Sequence, residues 1–470
     1  MRLRRVIALL IACGMTQIAT AEPPRESQRL TWRDAQHAAH VDIEVVVDGD
    51  SPSQRWNAAL GKLFDFFDRD GDDALSAEEV SRLPSAFALR QVLWGDFALQ
   101  AGGAPRFAEI DGDRDDAIAR DELTDYYRRH GVGNLLVAST RVDGAVELHA
   151  ALLRALDRSS DGNLDAAELA EAADLLQTHD RNDDELVGPG ELSERIDRYP
   201  GAVASTLVRR NVEDTQVKEG FTLDDAAPPA IDGVTLELSP SEPAAAASTS
   251  WVSRRRDDVQ WHFRTDRGLL QSQTDAAMQD ARAWLDRIDT NRDGMLVEAE
   301  ATGPDRPRFE AWLAFADRDH DHRLPRAESN AWLKLQQAVA DAQVMLTLLD
   351  FGRGLFEYVD VNHDGGLSRT ELRDLPRRLD QDGCLVEGRL DVARLPTCIL
   401  CVAAQGHPQS VLLPREAGGP AWFQGMDRNG DGSVSPAEFL GARRRFDQFD
   451  ADRDGLLTTA EATAFVRSDP

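Results

Sequence analysis

The sequence predicts a mainly α protein: helix–loop–helix units in tandem pairs, interrupted by a small β-containing middle segment. Three observations lead there. Nine twelve-residue stretches carry oxygen side chains at positions 1, 3 and 5 and a glutamate at position 12, as in the run from Asp427 to Glu438. Four places before each stretch stands an apolar residue, successively Phe64, Phe107, Leu153, Leu176, Leu285, Leu313, Phe356, Phe423 and Phe446. Position 8 is apolar in all nine as well (Leu75, Ile118, Leu164, Val187, Leu296, Leu324, Leu367, Val434, Leu457), so that an entering helix and a neighbouring loop both have something to pack on.

Taken in order, residues 1–21 begin with Arg2, Arg4 and Arg5, continue as an apolar run from Val6 to Met15, and end on Ala19-Thr-Ala21. That is the layout of a cleaved secretory signal, and the run is too short to cross a bilayer. A second reading lipidates Cys13. No later stretch is long enough for a transmembrane span, so the mature chain is expected to be exported, to a periplasm or the extracellular space. Residues 22–55 are polar, with one strand over Val41–Val47. The first pair of units occupies 56–130, with loops starting at Asp68 and Asp111 around an insert at Gly95–Pro105; its entering helix shows Leu60, Leu63, Phe64 and Phe67 at helical spacing. The second pair, 140–200, has loops starting at Asp157 and Asp180, close enough to be expected to pair with each other. Residues 201–275 lose the repeat. Pro228-Pro229, a low-complexity run at Ala244–Ser250 and alternating runs at Val234–Leu238 and Val259–Phe263 predict a linker or small β module there. The third pair is 276–335 and the fifth 415–470. In the fourth, 340–405, the second unit is degenerate: Pro376 takes the apolar place before Asp380, Glu387 falls at position 8, and Asp391 replaces the closing glutamate.

The residue types have one chemical meaning. Calcium is a hard cation that takes about 6–8 oxygens, and alternate residues of a tight loop converge on one point. The glutamate supplies two oxygens, which favours seven-fold calcium over octahedral magnesium. These loops resemble those of the EF-hand calcium-binding family, over all the helical regions but not the middle segment. The resemblance implies Ca2+ held by Asp68, Asp70, Asp72 and Glu79; by Asp111, Asp113, Asp115 and Glu122; and by Asp157, Ser159, Asp161, Asp165 and Glu168. It further implies sites at Asp180, Asn182, Asp184 and Glu191; at Asp289, Asn291, Asp293 and Glu300; and at Asp317, Asp319, Asp321 and Glu328. The last three are Asp360, Asn362, Asp364 and Glu371; Asp427, Asn429, Asp431, Ser435 and Glu438; and Asp450, Asp452, Asp454, Thr458 and Glu461. Position 6, where a left-handed turn favours glycine, is instead Asp73, Asp116, Glu185 and His322 in four loops. The Asp180 and Asp317 loops are therefore expected to bind more weakly than the Asp427 and Asp450 loops.

A formal charge of −30 argues against nucleic acid as a partner and for cations. Met-rich grooves mark calcium sensors, and six methionines in 470 residues do not make one. The expectation is a calcium-stabilised structural, storage or interaction protein, not an enzyme, whose partner is an unidentified protein or cell surface. The alternatives are a calcium-dependent regulator or a binding or catalytic module in 201–275, and a lipid-anchored surface protein. Cys384, Cys398 and Cys401 are expected, after export, to give one disulfide and one leftover thiol. His37 and His40 read as a solvated turn, and Arg254–Arg256 as a solvated run. No H-E-x-x-H, G-x-S-x-G or phosphate-binding glycine loop occurs.

Overall fold

The computed structural model describes residues 26–91, 103–133, 135–142, 144–196, 206–207, 220–224, 234–238, 251–412 and 419–468. The expected signal segment with Cys13, Pro228-Pro229, Ala244–Ser250 and most of the Gly95–Pro105 insert lie outside these residues. Among the described residues no helix is long and apolar enough to cross a membrane.

The expectation of a mainly α array is overturned, because two β-sheets form the centre of the molecule. Their strands are β1 (Ser27–Arg33), β2 (Ala38–Val47), β3 (Leu136–Arg141), β4 (Thr206–Leu207) and β5 (Gly220–Asp224). They continue with β6 (Val234–Leu238), β7 (Val252–Arg256), β8 (Val259–Asp266), β9 (Met345–Gly352) and β10 (Thr397–Ala404). One sheet has the order β5-β1-β2-β6, the other β4-β3-β9-β10-β8-β7. Their inner faces meet in one core that holds Leu30, Ile43, Trp261, Phe263, Leu346 and Ile399. Trp261 and Phe263 stack at 6.1 Å and are fully buried, each contributing about 1.5–3 kcal/mol of transfer free energy. Trp32 Nε1 also donates to Asp350 Oδ2 at 3.0 Å, tying one sheet to the other.

The expected middle module is likewise not separate. Its described strands β5 and β6 are the two outer strands of the four-stranded sheet, beside β1 and β2. The expected strand at Val41–Val47 is present, inside β2, and buries alternate residues.

Between the strands the chain runs in two halves of the same order. A hairpin, β1–β2 or β7–β8, leads to two loops, then to a central strand, β3 or β9, then to two further units and a last strand, β4 or β10. The central strands lie parallel to each other. Two helical lobes result, each with units from both halves. The Asp68, Asp111, Asp289 and Asp317 loops belong to a first lobe, whose core joins Leu63, Phe64 and Tyr127 to Trp284, Phe309 and Trp332. The Asp157, Asp180 and Asp360 loops and the degenerate unit form a second, with Leu148, Leu152 and Leu176 against Phe356, Leu375 and Leu390.

Loop partners in the second lobe differ from those that spacing predicted. The Asp180 loop pairs with the Asp360 loop, Val187 opposite Leu367 and Leu186 opposite Ser368. The Asp157 loop is bridged to the degenerate unit, where Leu390 N donates to Leu164 O at 2.8 Å. The cause is the chain between the Asp157 and Asp180 loops, which is helical over Ala166–Ala170 and Ala172–Gln177. These eleven helical residues are interrupted only at Glu171, which leaves little chain to bring the two loops together. In the terminal unit, Pro436 to Gly441 form no helix, the chain doubles back, and Val434 does pair with Leu457. The first and third pairs also match the spacing, through Leu75–Ile118 and Leu296–Leu324.

All three described cysteines are buried free thiols, not a disulfide and a leftover thiol. Each lies in a different core: Cys384 in the second lobe, Cys401 between the sheets, and Cys398 on the opposite face of β10. Residues three apart on a strand point to opposite faces, so Cys398 and Cys401 do not meet.

Candidate metal centres

Each loop is shaped by its own glutamate. In the Asp68 loop Glu79 accepts from Arg69 N at 2.7 Å with one oxygen and from Ser76 N at 2.8 Å with the other. Ser76 is the N-cap of the short helix after the loop and Glu79 its third residue, so the closing glutamate is also half of a capping box. The arrangement recurs. Glu122, Glu168, Glu191, Glu300, Glu371, Glu438 and Glu461 each accept near the start of their loop and from the position-9 N–H. Position 1 acts from the other side: Asp427 accepts from Asp431 N at 3.1 Å and Gly432 N at 3.0 Å.

Glu328 departs from the pattern. It accepts from Arg318 N at 3.1 Å, but position 9 is Pro325, which has no N–H. Its Oε2 is left buried without a hydrogen-bond partner, as is Oδ1 of Asp289 at position 1 of a neighbouring loop. Carboxylate oxygens so placed fit a cation, since an unpaired buried acceptor costs about 1–3 kcal/mol. Spacing fits too. Ligand atoms of Asp68, Asp70 and Asp72 lie within 4.8 Å of one another, as do those of Asp111, Asp113 and Glu122, of Asp317, Asp319 and Glu328, and of Asp450, Asp452 and Glu461. An ion about 2.4 Å from each oxygen requires that separation.

Burial and mutual repulsion act on these acids. Burial pushes the Asp360 carboxyl well above the ordinary range, and Glu371 and Asp364 add to it. Glu371, Asp317, Glu328 and Asp427 are raised by the same leading cause. Asp431 is pushed up to about 6 by burial, with Asp427 and Glu438 adding repulsion against hydrogen bonds from Ser433.

Sequence reasoning named the expected ligands and missed what supports their loops. Position 4 is left-handed in all nine loops, at Gly71, Arg114, Ser160, Asp183, Arg292, His320, His363, Gly430 and Arg453. The glycines at 71 and 430 were the only signal for it. The arginines at position 2 also have a role. Arg69 donates to Asp317 O at 3.3 Å, and Arg318 donates to Asp68 O at 3.1 Å, so the Asp68 and Asp317 loops grip each other reciprocally. Position-9 side chains are committed to capping: the Asp165 carboxylate accepts from Ala167 N and Glu168 N, and Thr458 Oγ1 from Glu461 N. The degenerate unit makes no cage; Asp382 accepts from Tyr358 Oη at 2.7 Å and Asp391 caps a short turn.

The model of the EF-hand family matches residues 353–376, 421–440 and 443–465, which contain the Asp360, Asp427 and Asp450 loops. These three segments are EF hands. The other six loops lie outside the matched residues; five share the hydrogen-bond frame of these hands in full, and the Asp317 loop shares it except at Pro325. Comparison with curated proteins gave no match. EF hands carry calcium binding with them, and in this chain Asp360, Glu371, Asp427, Glu438, Asp450 and Glu461 stand at the first and last ligand positions of the matched hands.

Proposed function

We propose that this chain is an exported calcium-binding scaffold without catalytic activity, in which calcium ions hold two EF-hand lobes and a terminal pair in shape around a β core. The observation that carries the reading is the frame common to eight of the nine loops, in which the glutamate is already clamped across its loop. Such loops bring three or four acids together in a chain of formal charge −30, and divalent ions are what make that tolerable. Ligand that binds only the folded state adds its binding free energy to stability. Export rests on the pattern of residues 1–21. At extracellular calcium, sites as weak as roughly 10⁻⁴–10⁻³ M are filled. Strands β5 and β6 favour this reading over a separate binding or catalytic module in 201–275, since they complete the sheet of β1 and β2.

Calorimetric titration of the mature protein, with thermal melts in calcium and in chelator, tests the proposal. Up to nine ions and a large rise in Tm are expected. No heat and unchanged melts would overturn it.

A further inference from the structure

Position 6 of an EF-hand loop is left-handed, and in the Asp180 loop a glutamate stands there: Glu185 has φ 64°. A side chain in that conformation costs on the order of 1–2 kcal/mol relative to glycine. Its carboxylate does not turn into its own loop. Glu185 Oε1 accepts from Ser435 Oγ at 2.7 Å, and Ser435 is position 9 of the Asp427 loop in the terminal pair. Ser435 Oγ also accepts from Ala437 N and Glu438 N, both at 3.2 Å. Its hydrogen and both lone pairs are thereby used, so Ser435 Oγ has no lone pair left for a cation, and the acid in contact with it is Glu185.

The residue beside Glu185 contacts the same loop. Asp184 O accepts from Asn429 Nδ2 at 2.7 Å, which fixes the amide so that Asn429 Oδ1 faces inward, where it accepts from Asp431 N at 3.0 Å. The second loop of the terminal pair is held from the same lobe, by Arg373 at 3.1 Å from Asp454, a position-5 ligand. Both loops of the terminal pair thus meet the second lobe through ligand positions or their neighbours.

We infer that Glu185 is an acidic partner of the Asp427 site supplied in trans from the Asp180 loop, so that calcium in that site and docking of the terminal pair are coupled. The inference rests on the reading that the Asp427 loop binds calcium. A carboxylate brought to Ser435, where Glu438 repels it, is disfavoured while the site lacks a cation and attracted once it holds one. By linkage, calcium strengthens docking as much as docking strengthens calcium binding.

The test uses the full chain and three variants: Glu185→Gln, Glu185→Gly and Glu438→Gln. Glycine suits the left-handed φ, so a loss in Glu185→Gly cannot be laid to backbone strain. Hydrogen exchange of the peptide spanning 427–438, followed over a calcium titration, reads this site apart from the others. We expect both Glu185 variants to need about tenfold more calcium for the same protection, within the range usual for coupled sites. If they titrate as wild type does, the inference is overturned while calcium binding stands. If Glu438→Gln also titrates as wild type does, the underlying reading of the loop fails as well.

Discussion

Asp431→Asn should stabilise the terminal pair in the absence of calcium and weaken it in its presence. Asp431 is pushed up to about 6 from an ordinary 3.8, first by burial and then by Asp427 and Glu438. The fold therefore favours the protonated acid. This contribution is fully stabilising below about pH 4 and is lost as pH rises through about 6. At pH 7 the charged acid costs roughly two pKa units, about 3 kcal/mol, relative to its protonated form. Asparagine removes the charge and keeps an acceptor for Ser433 N, which lies 2.7 Å from Asp431 Oδ1. It gives up the 3.3 Å hydrogen bond from Asn429 Nδ2, about 1 kcal/mol. The net expectation is about 2 kcal/mol, or roughly thirty-fold slower amide exchange at pH 7 in chelator. The amides to follow are those of the ladder between Ser433–Val434 and Leu457–Thr458. At pH 4 wild type and variant should converge, and with calcium the order should reverse. Equal protection at pH 7 in chelator would refute the claim that carboxylate repulsion is held in this loop.

Three further outcomes follow from the packing. Phe356→Ala, at a wholly buried position ahead of the Asp360 loop, should cost about 3–5 kcal/mol in denaturant unfolding. A backbone nick between residues 239 and 250 should leave two fragments that co-elute on gel filtration, since the six-stranded sheet, through β3 and β9, and both lobe cores join the two halves; separate elution would contradict the interleaved fold. Thiol titration should find Cys384, Cys398 and Cys401 unreactive in the native protein and all three reactive once denatured, and a disulfide in the isolated protein would contradict the structure.

The loops were legible because their information is local: the distance from Asp427 to Glu438 is fixed by one turn of chain and the reciprocal hydrogen bonds of Ser435 and Glu438. Strand β2 was legible because one face is buried and its residues alternate. Strands β9 and β10 were not, because nearly every residue along them is buried. A strand covered on both faces reads as a continuous apolar run, which periodicity cannot separate from a stretch of buried helix. Pairing of loops in the second lobe was illegible for another reason. The chain from Asp157 to Asp180 says how far apart two loops start, whereas their partners lie in the other half of the sequence. Glu185 looked like a defect of the Asp180 loop because its contact, Ser435, lies 250 residues away.

That interleaving changes what calcium does to the whole chain. In a string of independent pairs, each ion would stabilise only its own pair, and the melting curve would break into steps. Here the Asp180 loop shares a two-residue ladder with the Asp360 loop, and Arg69 and Arg318 clasp the Asp68 and Asp317 loops across the first lobe. Opening one half of a lobe exposes the core of the other, for instance Leu176 when Phe356 withdraws. Both lobes grow out of the parallel strands β3 and β9, which lie side by side in one sheet. Binding free energy gained in any loop of a lobe is therefore set against unfolding of both halves, and calcium should move that lobe's transition as a single step. The terminal pair has a small core of its own around Phe423, Phe446 and Leu457. It is held to the second lobe by polar contacts at Glu185, Asp184 and Arg373, so it is the part whose melting can separate from the rest when calcium is withdrawn.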